Sequence, residues 1–386
     1  MFRLFLYLLL TMIVFGSCST GSNPKKPPLS IDKPSQIFEY AAEQYERLML
    51  NLPEDKFPRS YENGELITSN SDWWCSGFYP GTLLHLNEQT GEESLNEEAM
   101  RMLQLLEKEQ YNTNTHDLGF MMFDSFGHAH RLNPSEEYEQ IIVNSAKSLS
   151  SRYSPATKTI RSWNSEPENF LVIIDNMMNL DLLFWATEVT GDSTYYDIAV
   201  THANTTIENH FRSDNSSWHV VNYHPETGEV QNRRTEQGLS DESAWARGQV
   251  WGLYGFTETY GNTGDQKYLN QAVAIAEFVL NHPNLPEDKI PLWDFNAEPD
   301  ALRDASAAAI MASALLELQG YVPDSNYRET AENILKTLTE EYIAAPGENG
   351  NFILKHGVGH LPAESEVDVP LTYADYYFIE ALTRLK

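Results

Sequence analysis

Cysteine is nearly absent from this chain. Two residues in 386, Cys18 and Cys75, exclude a disulfide framework and a cysteine-based zinc site. Basic residues are also scarce: Lys and Arg total 26 against 56 Asp and Glu, a formal net charge of −30. So acidic a surface is a poor match for nucleic-acid phosphates. Any anionic ligand needs local positive charge set against an unfavourable overall field. No HExxH, P-loop, GxGxxG or GxSxG occurs, so zinc proteolysis, nucleotide binding and serine-hydrolase chemistry lack motif support. No metal-ligand spacing stands out either, and no cofactor is implied. With 41% hydrophobic and only 21% charged residues, bulk disorder is excluded and a sizeable core is possible.

The first apolar stretch, Leu4–Phe15 after Arg3, is too short to span a bilayer and reads as a signal peptide over residues 1–17. Gly16-Ser17 directly before Cys18 resembles a bacterial lipobox, which would make Cys18 the lipidated first residue. Residues 18–34 then form a polar tether, and 35–386 a single catalytic domain. The expectation is an exported chain: a periplasmic or outer-membrane lipoprotein of a Gram-negative bacterium, touching the membrane only through its anchor.

Beyond the tether a pattern recurs. A large residue is followed four later by a small or aliphatic one at Phe38/Ala42, Leu95/Ala99, Tyr138/Ile142, Tyr195/Ala199, Tyr268/Ala272 and Tyr327/Ala331. Four-residue spacing places each pair on one helical face. Thr-Gly precedes three of them, at Thr90-Gly91, Thr190-Gly191 and Thr263-Gly264. Glycine suits the left-handed residue that ends a helix, so each junction reads as a tight helical hairpin. The resulting helices run near 34–51, 77–90, 93–111, 118–133, 135–151, 175–190, 193–212, 241–261, 264–281, 304–320, 324–345 and 372–386. Alternate helices are amphipathic or apolar all round. Six buried helices ringed by six amphipathic ones make an all-α fold, an (α/α)6 barrel. Long loops at 152–174, 213–240, 284–303 and 346–371, with a β-hairpin at Ser217–Val230, lie over the starts of the inner helices, where function is expected.

Four clusters occupy those starts: Trp73–Phe78, His116–Phe120, Asp175-Asn176 and Asp241–Trp251. A lone Asp at a helix start is ordinarily an N-cap. Asp117 and Asp175, however, are flanked by aromatic segments and brought round one cavity by the toroid. Paired carboxylates with tryptophans and a few His and Arg groups describe a carbohydrate site. Competing readings remain for individual residues. Trp163, Trp245 and Trp251 fit a core equally well. Arg247 could pair with Asp241 or Glu242, and His219 could be exposed and idle. His128 and His130 are two apart and share no helical face.

HDLGF (116–120), IIDNMMNLDLLFWA (173–186), QGLSDESAWARGQVWGLYGF (237–256), DASAAAIMASALLEL (304–318) and VDVPLTYADYYFIEALTRL (367–385) together resemble the unsaturated glucuronyl hydrolases of glycoside hydrolase family 88. The likeness runs in order from about residue 35 to the C-terminus. It implies an (α/α)6 barrel and an unusual glycosidase, which hydrates the C4=C5 vinyl ether of a non-reducing-end unsaturated uronic acid. A polysaccharide lyase acting upstream would supply such oligosaccharides, of glycosaminoglycan or ulvan type. By this resemblance Asp175 is the general acid/base and Asp117 its partner. His116, Trp163, His219, Gln237, Arg247 and Trp251 line the sugar site, with Trp73 or Trp74 as a wall; Arg247 and His219 supply positive charge.

The chain departs from the pattern in one place. Relatives acting on sulfated disaccharides carry a Ser-x-x-x-x-Lys-type signature before the C-terminal Val-Asp segment, whereas Pro362–Asp368 here holds no lysine and two glutamates. Acidic groups there should disfavour a sulfate on the next sugar. Two other readings fit: an unsaturated rhamnogalacturonyl hydrolase acting on pectic oligosaccharides, and a surface lipoprotein that captures oligosaccharides without cleaving them.

Overall fold

A computed structural model describes residues 26–385. The signal peptide expected over 1–17, Cys18 and the first part of the expected tether lie outside the described residues. The last residues of the segment expected as a tether rest on the barrel: Lys26 Nζ donates to the carbonyls of Thr339 (2.9 Å) and Glu340 (2.7 Å), and Leu29 and Ile31 pack against the core.

Twelve α-helices are found among the described residues: α1 Pro34–Met49, α2 Phe78–Thr90, α3 Glu93–Leu106, α4 His128–Leu132, α5 Glu136–Ser150, α6 Asp181–Thr190, α7 Ser193–Asn209, α8 Ala246–Thr263, α9 Gln266–Leu280, α10 Ala305–Tyr321, α11 Tyr327–Thr337 and α12 Thr372–Leu385. A π-helical segment, Gly119–Gly127, leads into α4, and a 3-10 turn, Ile174–Asn179, leads into α6. The inner ring runs α2, π-segment with α4, 3-10 turn with α6, α8, α10 and α12, which closes back on α2. The amphipathic helices α1, α3, α5, α7, α9 and α11 surround it. This is the (α/α)6 barrel, and its chemistry shows why. Inner helices such as α10, with twelve buried residues between Ala305 and Leu318, are apolar on every side, whereas an outer helix buries one stripe, such as Leu95, Ala99, Met102, Leu103 and Leu106 on α3. The three Thr-Gly junctions end their helices with left-handed glycines, Gly91 (φ 76°), Gly191 (φ 70°) and Gly264 (φ 65°), and Asp192 and Asp265 cap the helices that follow.

Small sheets decorate the ring: β1 Phe57–Glu62 with β2 Glu65–Ser69, β3 Tyr153–Ser154 with β4 Thr159–Ile160, a three-stranded sheet of β5 Phe170–Ile173, β6 Val220–Tyr223 and β7 Val230–Arg234, and β8 Gly357–His360 with β9 Ser365–Val369. The expected hairpin at 217–230 is thus present as β6–β7, with β5 added on its other edge. Five expected helices differ: the 93–111 helix ends in a 3-10 turn, Glu107–Tyr111, and the 324–345 helix in a π-helical turn, Leu338–Tyr342. The 118–133 and 175–190 helices begin as the π-segment and the 3-10 turn. The 241–261 helix begins only at Ala246, because the preceding residues are drawn into bridges with another loop: Trp245 pairs with Asp294, and Phe295 N–H donates to the Ala244 carbonyl. No described helix is long and apolar enough to cross a membrane.

Candidate active site

A cleft of about 170 Å³ opens at the end of the barrel where the inner elements start, lined by Trp74, His116, Asp117, Phe120, Trp163, Ile173, Asp175, Glu236, Gln237, Arg247 and His360. Seven of the ten candidate residues therefore meet in it. Trp74 forms one wall and packs on Tyr373, Phe120 and Phe78 (5.0, 5.6 and 5.8 Å between ring centres). Its neighbour Trp73 does not reach the cleft; it lies 39% exposed beneath the Arg59 guanidinium.

Side-chain amides fix the two aspartates relative to each other. Asp117 lies two residues before the π-segment and Asp175 sits in the 3-10 turn. Asn179, at the end of that turn, accepts from the backbone N–H of Gly119 (2.8 Å) and Phe120 (3.2 Å). The approach demands glycine, since a Cβ on Gly119 would lie 2.6 Å from Asn179 Cα. A second tie runs to the Trp163 loop. Ser162 Oγ donates to Asn176 Oδ1 (2.8 Å) and accepts from Ile173 N–H (2.9 Å), while Asn176 Nδ2 donates to the Ile160 carbonyl (2.7 Å).

Both carboxyls are raised to about 7, chiefly because burial penalises their charged forms. For Asp175 the positive charge of Arg247, its own backbone N–H and the Trp251 side chain oppose the rise, and Asp117 adds to it. The contacts of Asp117 fix the tautomer of its neighbour His116. His116 Nδ1 faces the Ser162 carbonyl at 3.0 Å and must donate to it, leaving Nε2 as a bare lone pair 3.1 Å from Asp117 Oδ1. Burial holds His116 down to about 3, so it stays neutral. The contact is then a hydrogen bond only when Asp117 carries the proton. Thr115 Oγ1 donates to its other oxygen (3.0 Å).

His219 and Trp251 lie behind the lining rather than in it. Trp251 is fully buried, between Phe120 and Tyr377; its stacking face is covered, and what it offers the site is its contact with Asp175. His219 is neutral, because burial, then Arg247, pushes it well below its usual value, so it is not the source of positive charge expected. Its Nδ1 accepts from the backbone N–H groups of Glu236 (3.2 Å) and Gln237 (3.3 Å). The ring proton is therefore on Nε2, 3.7 Å from Asp175 Oδ2, and neither atom has another partner.

Arg247 carries the positive charge of the cleft. It is 2% exposed and pairs at 3.1 Å with Asp304, which is fully buried, and donates to the carbonyls of Val358 and Gly359. Its partner is thus neither Asp241 nor Glu242: Asp241 accepts from Thr235 N–H, and Glu242 lies 3.9 Å from Arg212. Asp304 also caps α10 through Ser306 N–H (3.0 Å). Gln237 Nε2 reaches the Gly359 carbonyl (3.4 Å). Sequence reasoning missed Phe120, Ile173, Glu236 and His360 in the lining, although Phe120 and Ile173 sit inside quoted blocks. Of the two glutamates expected to repel a sulfate, Glu366 is tied to Arg59 at 2.8 Å, while Glu364 is exposed.

The model of Glycosyl Hydrolase Family 88 matches residues 51–384. An unsaturated glucuronyl hydrolase of Formosa agariphila is 43% identical over 99% of this chain and 97% of its own. Among solved structures, an unsaturated glucuronyl hydrolase specific for heparin superposes with a TM-score of 0.89 at 46% identity, over 92% of this chain and 97% of its own. A mutant unsaturated glucuronyl hydrolase from Streptococcus agalactiae complexed with dGlcA-GalNAc6S gives 0.80 at 29% identity, over 94% of this chain and 93% of its own.

Proposed function

The chain belongs to glycosyl hydrolase family 88, and on that premise we propose that its cleft removes a 4,5-unsaturated uronic acid from the non-reducing end of lyase-generated oligosaccharides, with Asp175 as general acid and base. The observation that carries this reading is a buried carboxyl held near neutrality beside a buried guanidinium, under two tryptophans. Asp175 donates its proton to C4, and the C4=C5 electron pair forms the new C–H bond. The cation left at C5 is shared with the ring oxygen. Water adds to C5 and gives its proton to the Asp175 carboxylate, which restores the acid. The C5 hemiketal then opens to a ketone, and the hemiacetal left at C1 expels the remaining saccharide. No carboxylate attacks C1, so the separation rule for retaining and inverting enzymes does not apply.

Each neighbour has a distinct task. His219 Nε2–H faces Asp175 Oδ2 from behind the lining and steadies the carboxylate that takes the proton of the attacking water. Arg247 attracts the uronate carboxylate, and Trp74 and Trp163 flank the sugar ring. Asp117, raised to about 7 by burial and lying 3.1 Å from His116 Nε2, helps to position the substrate. Substrates of glycosaminoglycan type fit the names of the relatives, and ulvan-type oligosaccharides share the same uronate chemistry. The lipobox-like Gly16-Ser17-Cys18 supports export and lipid anchoring.

The test is ultraviolet absorbance, because the C4=C5 bond is conjugated to the uronate carboxylate and hydration destroys its signal. The full chain is incubated with lyase digests of chondroitin, hyaluronan, heparin, ulvan, gellan and rhamnogalacturonan. Loss on at least one digest, abolished by Asp175→Asn while binding persists, is expected. Binding without loss on any digest would instead identify an oligosaccharide-capture protein.

A further inference from the structure

The opposite end of the barrel holds a second cavity, of about 390 Å³, which shares no lining residue with the cleft. Its walls include His85, Asp124, His128 and Arg131. His85 and Glu88 stand three residues apart on α2, so both look the same way, and His128 opens α4, the neighbouring inner helix. One ligand atom from each of His85, Glu88 and His128 lies within 4.8 Å of the others.

The imidazoles are the unusual part. His85 is 7% exposed and His128 8%, with ring centres 4.0 Å apart. Neither nitrogen of His85 has a hydrogen-bond partner. A buried ring with both nitrogens idle loses its hydration and gains nothing in return; a ligand that takes one lone pair removes that cost. Burial keeps His85 well below its usual value and His128 at about 4.

A cation already occupies part of the position. Arg131 donates to both oxygens of Glu88 (3.1 and 2.7 Å) and to His128 Nε2 (2.9 Å). Its side chain is 54% exposed, so the guanidinium can turn out to solvent without breaking the core. Carboxyl groups also line the cavity: Asp124, Asp181, Glu258 and Glu380 face Arg131 and Arg384, burial raises the first three, and Asp124 Oδ2 is unpartnered.

We propose that His85, His128 and Glu88 bind a divalent ion of the zinc class, for which Arg131 is the displaceable stand-in. Two imidazoles and one carboxylate suit Zn²⁺, Co²⁺ or Ni²⁺, whereas Ca²⁺ and Mg²⁺ require oxygen ligands. A fourth position is left for water, with Asp124 available to accept from it. Such an ion joins two adjacent inner helices and acts on the stability of the barrel. The ligands come from two separated segments, and so the histidine spacing along the chain does not show them: His130, two residues from His128, is instead packed edge-on to Trp185 at 5.5 Å.

The test uses the full chain without added histidines, stripped with a chelator and titrated with Zn²⁺ and Co²⁺ by calorimetry. Visible absorption of bound Co²⁺ reports on coordination, and thermal melts report on stability. One ion per chain with a raised melting temperature is expected. His85→Gln should abolish both and leave turnover of an unsaturated disaccharide by the metal-free protein unchanged; if it fails to fold, Glu88→Gln at the rim serves instead. Arg131→Gln should tighten binding by about tenfold or more, as removal of a competing charge pair implies. Failure of both wild type and Arg131→Gln to bind an ion overturns the proposal. Binding that His85→Gln and Glu88→Gln leave unaltered overturns it too.

Discussion

Arg247 carries two roles that a pair of substitutions separates. Its guanidinium is 2% exposed and its partner Asp304 fully buried, at 3.1 Å. Arg247→Met leaves Asp304 charged, buried and unpaired, a change that costs about 3–5 kcal/mol. At about 2–4 °C per kcal/mol for a large domain, the melting temperature should fall by on the order of 10 °C. Asp304→Asn added to that variant removes the stranded charge, while its Oδ1 still accepts from Ser306 N–H and Val358 N–H (3.0 and 3.2 Å). Most of the stability should return, with a coupling of about 2 kcal/mol or more across the cycle.

Turnover should not return with it. A hydrogen bond to a charged group contributes about 1.5–3 kcal/mol, so loss of Arg247 lowers kcat/KM by roughly ten- to a hundredfold in the ultraviolet assay, and the double variant remains as slow as the single. If the double variant regains wild-type activity, Arg247 is only a structural partner of Asp304. A coupling energy near zero would refute the account of the ion pair itself.

Three further outcomes follow from the same geometry. The acid form of Asp175, held up to about 7, should make kcat/KM high below neutrality and falling as pH rises through about 7; a rate that instead climbs across this range would remove Asp175 as proton donor. The same raised value means the folded state binds a proton that the unfolded chain has released above its ordinary pKa near 3.8. Stability from this group is thus complete below that value and lost as pH rises through about 7, and Asp175→Asn should stabilise the fold at pH 8, by on the order of a few kcal/mol, but hardly at pH 4. Trp74→Ala should raise KM severalfold and Trp73→Ala hardly change it, since only Trp74 lines the cleft; equal effects would contradict that assignment.

The helical pairs were legible because each rests on local rules. A four-residue apolar spacing and a Thr-Gly stop need no knowledge of the rest of the chain, and both appear where expected, down to the left-handed Gly91, Gly191 and Gly264. The β1–β2 hairpin is equally local, since Asn63-Gly64 both take positive φ in a pattern that signals such a turn. The choice between Trp73 and Trp74 was not local. It depends on Arg59, fourteen residues earlier, which takes one ring, and on Phe78, Phe120 and Tyr373, which take the other. The partner of Arg247 and the charge state of His219 likewise depend on groups brought in from other loops.

Asp175 shows how local and distant effects compete at one carboxyl. A carboxylate at a helix start is ordinarily stabilised by the N-terminal dipole, which would lower its pKa and spoil it as an acid. The fold weakens that influence by placing Asp175 in the short 3-10 turn Ile174–Asn179, ahead of α6, which starts only at Asp181. The dipole of a short turn is correspondingly small, and burial then dominates. Gly255 on α8 keeps the turn in place, because its missing Cβ leaves the space that Met177 occupies; a methyl there would stand 2.4 Å from Met177 Cβ. Gly255→Ala should therefore move the turn, lower turnover by at least an order of magnitude and leave the helical circular dichroism intact. Wild-type turnover in a folded Gly255→Ala variant would mean that the position of the turn does not govern the acid.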